Sequence, residues 1–476
     1  MQQKTLIITT PYLEPHRPPI TGAILTQIAL DAGHTVDAID ININLFRHDE
    51  KLWWEYKKKT YVFNYGNDIV PKFVYEYHLT KRLDVDWILL SQLTHFDFAS
   101  IYDICFWLRP RTSAKIIVGG PGIESPIDNV DTCGSFLFKK NLVDFYIYGE
   151  GEYVLKELFN YNFDFPGING TTPKQIDSLD NLPLPNYSLY NLDAYEYPLN
   201  KKDFYIYGSR GCVKKCTFCD IQHYWPKYRY RPGKYIANEM IGYYEKYGTE
   251  NFYFADSLLN GSLKEFRSFC EELSRYNAAK NFKWSGFFLI RPKQSHSKEL
   301  FDMIGSTGGY FLNCGVETGV DRIRLEMAKG FTNEDVDWHL ENCSNHGLTN
   351  QFQLMTTWPS ETHAEHKQYL EIFKRWRPYV ADGTISSASL NGPPGLLDGA
   401  PLSKDPNFYV TDYHKNNIAS NKMIFYMNKK NQNYTIAERY QRSINVILEA
   451  QKYKWPLDRI ETKLIEWTTQ LKEYIS

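Results

Sequence analysis

The stretch DFYIYGSRGCVKKCTFC, residues 203–219, is the starting point for interpreting this chain. Its first five residues, 203–207, are rich in aromatic and β-branched side chains and predict a short strand. The glycines that follow predict a loop, and this loop carries Cys212, Cys216 and Cys219 with three and two residues between them. Three thiols on one short loop can converge on one metal centre, so the spacing predicts metal binding.

Two kinds of metal site are compatible with this loop. A structural zinc site needs a fourth ligand, and His223 is near enough in sequence to be considered. Iron–sulfur clusters are likewise usually held by four cysteines. Three thiols without an obvious fourth ligand therefore favour a cluster in which one iron stays open to a substrate or cofactor.

The residues after the loop continue as a series of strands and helices. Five more strands are predicted, each but the last followed by a helical segment, at residues 251–255, 283–290, 310–316, 350–357 and 384–391. Six such units over about 190 residues predict a partial (β/α)6 barrel at residues 203–400 rather than a closed eightfold one. Helical periodicity at residues 436–453 and 457–475 predicts a helical C-terminal region, residues 401–476.

The residues before the loop form a different α/β pattern. Apolar runs of the kind buried on both faces of a parallel sheet occur at residues 5–9, 35–39, 87–93, 114–118 and 145–148. Residues 22–32 form a helical pattern between the first two runs. Residues 1–165 therefore predict a doubly wound, Rossmann-like domain, whose ligands bind outside the carboxyl ends of the strands. Residues 166–202, rich in Asn, Asp, Pro and Tyr, predict an ordered linker.

Composition limits the partners. The chain has 476 residues, 43% of them hydrophobic, and a net charge of −2, so it is a folded protein without a bulk charge that would attract nucleic acid or anionic lipid. No apolar run approaches the length of a bilayer span or a signal sequence. We expect a cytoplasmic protein with a small-molecule or peptide substrate, and neither nucleic acid nor membrane as a partner.

The cysteine loop resembles that of the radical SAM superfamily. The resemblance rests on Cys212, Cys216 and Cys219, with the aromatic Phe218 before the last cysteine, at the end of the first strand of a six-unit barrel. It implies that the three cysteines bind a [4Fe–4S] cluster whose fourth iron chelates S-adenosylmethionine. It further implies a 5′-deoxyadenosyl radical, formed with an electron from a donor such as flavodoxin or ferredoxin, in a barrel that keeps water away.

The resemblance extends to two later strand ends, Phe254-Ala255-Asp256 and Gly315-Val316-Glu317-Thr318-Gly319. It implies that Asp256 and Glu317 contact the methionine amine or the ribose hydroxyls of the cofactor. The alternatives are a helix N-cap for Asp256 and a solvated turn charge for Glu317. Arg291, which ends the third strand, is expected to pair with a carboxylate of cofactor or substrate.

The domain order resembles the radical SAM enzymes with an N-terminal cobalamin-binding domain. Ser91-Gln92-Leu93 and Gly119-Gly120, with 25 residues between them, match two elements of such domains, which implies cobalamin contacts for Ser91, Leu93, Gly119 and Gly120. Gly149 and Glu150, at the next strand end, are assigned to the same cofactor edge. The third element, Asp-x-His-x-x-Gly, is missing, and its nearest equivalent is Asp40-Ile41-Asn42. We therefore expect cobalamin without a histidine under the cobalt.

These features predict a cobalamin-dependent methyltransferase that acts on an unactivated carbon. One alternative is a radical SAM enzyme that catalyses rearrangement, cyclisation or oxidation without cobalamin. The other is a non-catalytic assembly protein in which the cysteines hold only a structural metal.

Overall fold

The computed structural model describes residues 2–11, 14–60, 72–125, 127, 130–295, 297–392, 395–396, 400–410, 424–428 and 434–475. The chain divides into two compact units, Met1–Tyr205 and Ile206–Ser476. Within the described ranges, no helix combines the length and the apolar character that crossing a membrane requires.

The first unit is built on a parallel five-stranded sheet with the strand order β2-β1-β3-β4-β5. The strands are β1 (Lys4–Thr9), β2 (Thr35–Asp40), β3 (Trp87–Ser91), β4 (Lys115–Gly119) and β5 (Phe145–Tyr146). The helices are α1 (Ile20–Asp31), α2 (Ile41–His48), α3 (Glu50–Thr60), α4 (Lys72–Leu79), α5 (Phe98–Leu108), α6 (Cys133–Lys139) and α7 (Gly151–Phe159). This order reverses between β1 and β3 and confirms the predicted doubly wound fold.

The apolar runs explain why this sheet is covered on both faces. Leu6, Ile7 and Ile8 are consecutive in β1, and all three are at most 1% exposed. Because successive strand residues point to opposite faces, both faces of β1 are buried under other elements.

Residues 166–202 are ordered by hydrogen bonds to the first unit. The Asn186 N–H donates to the carbonyl of Ala23 in α1 at 2.9 Å. Further along, the Tyr195 hydroxyl donates to the Asp40 carboxylate at 2.8 Å. The segment therefore packs against the sheet domain instead of crossing solvent as a free tether.

The second unit contains a six-stranded sheet with the order β13-β12-β11-β10-β9-β6. These strands are β6 (Asp203–Ile206), β9 (Asn251–Phe254), β10 (Lys283–Phe287), β11 (Gly309–Glu317), β12 (Thr349–Met355) and β13 (Ile385–Asn391). The pairs from β9 to β13 are parallel. The predicted partial barrel is confirmed. Two short strands, β7 (Ser209–Arg210) and β8 (Arg229–Tyr230), lie between β6 and β9 in the chain. They pair with each other in antiparallel orientation.

Helices follow the barrel strands in chain order. They are α8 (Ile221–Tyr224), α9 (Gly233–Tyr247), α10 (Leu263–Ser274), α11 (Glu299–Ser306), α12 (Asp321–Glu326), α13 (Asn333–Asn345), α14 (His363–Arg375) and α15 (Arg377–Ala381). Aromatic side chains form the layer between sheet and helix. The Trp284 indole of β10 makes edge contacts with Phe254, Phe266 and Phe269 at centroid distances of 5.7–6.0 Å. The face of β10 that carries Trp284 therefore packs against α10 and does not line the barrel interior.

The C-terminal region contains the two predicted helices, α16 (Ile436–Lys452) and α17 (Ile460–Ile475). Three further strands, which the sequence pattern did not predict, form a small antiparallel sheet: β14 (Gly395–Leu396), β15 (Phe408–Val410) and β16 (Ile424–Asn428). Residues 456–458 run beside β13. The Ala388 N–H donates to the carbonyl of Pro456 at 2.8 Å, and the Asp458 N–H donates to the carbonyl of Ala388 at 3.1 Å.

Candidate active site

The cysteine loop is closed at its base by the β7–β8 pair, where Ser209 faces Tyr230 and Arg210 faces Arg229. It is also held by the segment after α12. The Thr217 N–H donates to the carbonyl of Met327 at 3.2 Å, and its hydroxyl donates to the carbonyl of Glu326 at 3.3 Å. The loop therefore has two independent attachments to the barrel.

The three loop cysteines differ from the rest in their exposure. Cys212, Cys216 and Cys219 are free and half-buried, whereas the other five cysteines are free and fully buried. Burial raises the pKa of Cys216, and it raises that of Cys219 to about 11, with the neighbouring thiols adding to the increase. The Cys216 and Cys219 thiols are therefore protonated near neutral pH, and a metal must displace these protons. Three accessible thiols are a soft donor set that fits an iron–sulfur cluster.

The structure gives no preformed site for a single ion. In the described parts of the chain, no three His, Cys, Asp or Glu side chains are grouped so that they could hold one metal ion. Cluster ligands bind different iron atoms and lie further apart than the ligands of one ion. His223, the candidate fourth zinc ligand, is exposed on α8.

Asp256 follows β9 and anchors the start of the cysteine loop. Its carboxylate accepts a hydrogen bond from the Gly208 N–H at 2.8 Å and another from the Ser209 hydroxyl. Burial raises the pKa of Asp256 to about 6. The N-cap alternative is wrong, because α10 is capped by Ser262, whose hydroxyl accepts from the Glu265 N–H.

Arg291 lies near the first loop cysteine. One of its terminal nitrogens donates to the carbonyls of Asn260 and Gly261 at 2.9 Å each. Its buried Nε has no hydrogen-bond partner among the described residues. Burial lowers the pKa of Arg291, and the Tyr228 hydroxyl and the Cys212 thiol oppose this shift. Arg291 thus has a donor left for an anionic group near Cys212.

Tyr228 is a site residue that sequence reasoning missed. Burial, and after it the Asp256 charge, raises the pKa of Tyr228 to about 12, with a further contribution from Cys212. Its hydroxyl accepts a hydrogen bond from the Ser262 N–H at 3.1 Å. The only sequence signal is a run of aromatic residues between 224 and 230, and composition does not single out one of them.

Glu317 is buried, only 6% exposed, so the alternative of a solvated turn charge is wrong. Its carboxylate pairs with the Lys329 ammonium at 2.8 Å. The ammonium lies 5.7 Å from the centroid of the Phe218 ring, which in turn meets Trp358 edge-on at 6.2 Å. The structure therefore brings Glu317 and Phe218 together around Lys329.

In the first unit, Ser91 and Gly119 are paired at the carboxyl ends of β3 and β4. A Cβ atom on Gly119 would meet nothing closer than Ile147, at 3.7 Å. Gly120 has a φ of 95°, and a Cβ there would lie 2.5 Å from the carbonyl oxygen of Gln92. Leu93 is 47% exposed. The four predicted residues thus share one strand-end edge, and a Cβ atom at Gly119 would make only an ordinary van der Waals contact there.

Gly149 and Glu150 have structural contacts. The Gly149 N–H donates to the Glu124 carboxylate at 2.8 Å. The buried Glu150 carboxylate accepts a hydrogen bond from the Ile176 N–H at 2.7 Å. Both residues therefore help to hold neighbouring loops, including residues 166–202.

The place of the missing histidine motif is filled by internal contacts. Asp40 caps α2 by accepting from the Ile43 N–H at 3.2 Å, and it also accepts from Tyr195. The Asn42 amide oxygen accepts from the Trp53 indole at 2.9 Å. Asn42 is 2% exposed, so this position offers no ligand to a metal.

Comparison with known proteins agrees with this arrangement. Residues 206–373 match the Radical SAM superfamily. The chain is 28% identical over 174 residues to the cytidylyl-2-hydroxyethylphosphonate methyltransferase of Streptomyces wedmorensis, covering 34% of this chain and 31% of that protein. It is 23% identical over 275 residues to the anaerobic magnesium-protoporphyrin IX monomethyl ester cyclase of Rubrivivax gelatinosus, covering 52% and 49%. The chain thus spans about a third to a half of the length of these curated relatives.

Solved structures share the fold at low sequence identity. The radical S-adenosylmethionine methyltransferase TsrM of Kitasatospora setae matches with a TM-score of 0.67 and 13% identity, over 96% of this chain and 90% of that chain. The cobalamin-dependent S-adenosylmethionine radical enzyme OxsB matches with a TM-score of 0.65 and 15% identity, over 99% and 71%. The barrel residues 206–373, which include the three cysteines, thus match the Radical SAM superfamily, and the chain shares its fold with these two solved structures.

Proposed function

We propose that this enzyme is a cobalamin-dependent radical SAM methyltransferase that acts on an unactivated carbon of a small molecule or peptide. The observation that carries the proposal is the set of three half-buried thiols on the first barrel loop, with Arg291 and the Glu317–Lys329 pair within their electrostatic range. The names of a relative and of the structural neighbours, as methyltransferases and cobalamin-dependent enzymes, support it.

In the barrel, Cys212, Cys216 and Cys219 would hold a [4Fe–4S] cluster, which supplies the electron for cleavage of S-adenosylmethionine when both are bound. The Nε–H of Arg291 is available to a carboxylate of the cofactor or the substrate. Asp256 keeps the backbone at Gly208 in place. These are binding and orienting tasks, and they require side chains that are held rigidly.

Phe218 and Trp358 cover the loop on the side of Lys329. Trp358 is 1% exposed, and its indole donates to the Glu326 carboxylate at 2.8 Å. We assign to this aromatic pair the exclusion of water from the reacting groups.

In the sheet domain, Ser91, Leu93, Gly119 and Gly120 would hold cobalamin, which supplies the methyl group when bound. Gly119 has no side chain to obstruct a ring at this strand end, and Ser91 offers a hydroxyl. Gly149 and Glu150 border this edge and support it through the loops they hold. The hydrogen bond from the Trp53 indole to the Asn42 side chain is consistent with a cobalt that receives no ligand from residue 42.

Cofactor assembly under anaerobic conditions tests the cluster. Wild-type protein reconstituted with iron and sulfide, then given S-adenosylmethionine and dithionite, is expected to release 5′-deoxyadenosine. The triple variant Cys212→Ala, Cys216→Ala, Cys219→Ala should release none, while Cys270→Ala, which removes a fully buried thiol elsewhere, should retain the product. No 5′-deoxyadenosine from the wild type would contradict the proposal.

Two substitutions at one position test cobalamin. Gly119→Ala has room for its methyl group and should bind hydroxocobalamin as the wild type does. Gly119→Leu places a branched side chain at the strand end assigned to the ring and should weaken hydroxocobalamin binding by at least tenfold, while the protein stays folded by circular dichroism. Equal affinity in both variants would place the corrinoid elsewhere.

A second candidate is a cobalamin-independent cyclisation or rearrangement. It is favoured by the similarity to a protein named as a cyclase. The wild-type protein, produced in cells supplied with cobalamin, distinguishes the two candidates. A corrinoid retained during purification supports the methyltransferase, and its absence supports the cobalamin-independent enzyme.

A further inference from the structure

The Glu317–Lys329 pair lies directly behind the cysteine loop. Both side chains are at most 11% exposed, and their charged atoms are 2.8 Å apart. Thr217 of the loop is bonded to Met327, two residues before Lys329, and Lys214 approaches Gly330 on the other side. The pair and the loop are therefore parts of one packed structure.

The ammonium of Lys329 lies beside the loop that carries the candidate cluster ligands. It is 5.7 Å from the centroid of the Phe218 ring, and Phe218 directly precedes Cys219 in the chain. Thr217, which directly follows Cys216, donates its backbone N–H to the carbonyl of Met327, two residues before Lys329. A positive charge is thus held in a poorly solvated place beside the residues that adjoin two of the three cysteines, where its field is little screened.

The backbone around this pair is conformationally costly. Glu317 has a φ of 66° and Ala328 a φ of 58°, and neither is glycine. A Cβ on Gly315 would lie 2.5 Å from the Glu317 carboxylate and 2.8 Å from the Lys329 ammonium. Such conformations persist where the surroundings enforce them, and they concentrate at functional sites. A buried ion pair by itself contributes little to folding stability, so stability alone does not explain this arrangement.

We infer that Lys329 is a positioning residue whose ammonium sets the reduction potential of the cluster, with Glu317 holding the ammonium in place and moderating its charge. The inference rests on the proposed cluster site. A one-electron reductant adds one negative charge to the cluster, and a fixed cation beside the sulfurs stabilises that charge. Removing the cation makes reduction harder, whereas removing the Glu317 carboxylate makes it easier.

Potentiometric titration followed by electron paramagnetic resonance tests this, on reconstituted full-length protein without S-adenosylmethionine. At the wild-type midpoint potential, Lys329→Met should lower the ratio of reduced to oxidised cluster about tenfold, which corresponds to about 59 mV for one electron. Glu317→Gln should shift the ratio in the opposite direction. Lys329→Arg keeps the charge and should restore a ratio near that of the wild type.

Lys215→Met is the matched control, because Lys215 is an exposed cation of the same loop whose field is screened by solvent. It should leave the ratio unchanged. Iron and sulfide are quantified in every variant, so that only loaded clusters are compared. A purely structural role would reduce loading in both Lys329→Met and Glu317→Gln without shifts of opposite sign.

The outcomes separate this inference from the proposed function. Loaded clusters with equal potentials in all variants would overturn the inference while leaving 5′-deoxyadenosine formation intact. A shift that occurs only when S-adenosylmethionine is present would also overturn it, because Lys329 would then act on the cofactor. Shifts of opposite sign without 5′-deoxyadenosine would instead leave the inference standing and contradict the proposed function.

Discussion

Asp256 illustrates how a single buried carboxylate can organise a loop. It is 3% exposed and satisfies the backbone N–H of Gly208 and the hydroxyl of Ser209. Sequence reasoning identified it as polar and functional, but not its partners, which lie about 48 residues away in the chain. The three cysteines were identifiable because their ligand spacing is local. Tyr228 and Lys329 were not assigned a role, because their importance depends on contacts between distant segments.

The raised pKa of Asp256, about 6 in the folded protein against an ordinary value of 3.8, gives a signed prediction. Between these pH values the folded state holds a proton that the unfolded state releases, so the free energy of unfolding falls as pH rises from about 4 to about 6. Asp256→Asn does not titrate and should remove this part of the slope, on the order of 3 kcal/mol. Urea unfolding of cluster-free protein at pH 4.5 and 7 measures the slope.

The control for the Asp256 experiment is Glu271→Gln, which removes an exposed carboxylate on α10. It should keep the wild-type pH slope. If Asp256→Asn keeps it as well, the burial of Asp256 does not govern its ionisation.

Gly315→Ala is expected to break the Glu317–Lys329 pair from the backbone side. Its Cβ would overlap both charged groups, so one of them must move. The expected result is a shifted midpoint potential, with harder reduction if the ammonium is displaced and easier reduction if the carboxylate is displaced, and with secondary structure retained by circular dichroism. Gly242→Ala on α9, where a Cβ meets nothing within 4 Å, is the matched control and should leave the potential unchanged.

At the level of elements, alternation along β11 puts neighbouring residues on opposite faces of the sheet. Cys314 is fully buried, with its sulfur 3.7 Å from the His339 ring of α13, whereas Gly315 adjoins the Glu317–Lys329 pair. The end of β10 was predicted three residues too late. The Leu289 N–H donates to the Asn260 side chain at 2.8 Å instead of to a neighbouring strand. This contact is not local, so an apolar run alone could not indicate where the strand ends.

Helix α16 is attached to the end of β12 by buried polar groups. Arg442 donates to the Glu361 carboxylate at 3.2 Å, and Tyr434 donates to the same carboxylate at 3.1 Å. The Thr356 and Ser443 hydroxyls are 2.6 Å apart. Because Glu361 is 1% exposed, these donors replace the hydrogen bonds that water would give to its carboxylate.

Arg442→Met should therefore destabilise the second unit by about 3 kcal/mol, since it leaves a buried carboxylate without its cation. Lys452→Met, which removes an exposed partner of Glu449 on the same helix, should have no measurable effect. Denaturant unfolding monitored by tryptophan fluorescence compares the two. An equal loss of stability in both variants would show that the Arg442 contact contributes no more than a surface pair.

At the level of the whole molecule, the chain divides at Tyr205, and the proposed function assigns one cofactor to each unit. The fold of both units followed from the sequence, because long alternations of strand and helix patterns are redundant signals. The substrate did not, since no local motif encodes the shape of the barrel interior.

Two ligand-specific thermal transitions are therefore expected in calorimetry. Hydroxocobalamin should raise the midpoint of one transition, and reconstitution with iron and sulfide should raise the other, because each ligand binds only a folded unit. The triple cysteine variant should lose the second shift and keep the first. A single transition that responds equally to both ligands would contradict this assignment.

The strip of backbone at residues 456–458 has a practical consequence. Its two hydrogen bonds use the backbone N–H and the carbonyl of Ala388, which would otherwise be unpaired because β13 is an edge strand of the six-stranded sheet. An uncovered rim is a surface onto which strands from other molecules can add. A chain shortened to end before Pro456 would therefore self-associate and precipitate, and loss of activity in such a truncation would report aggregation rather than damaged chemistry.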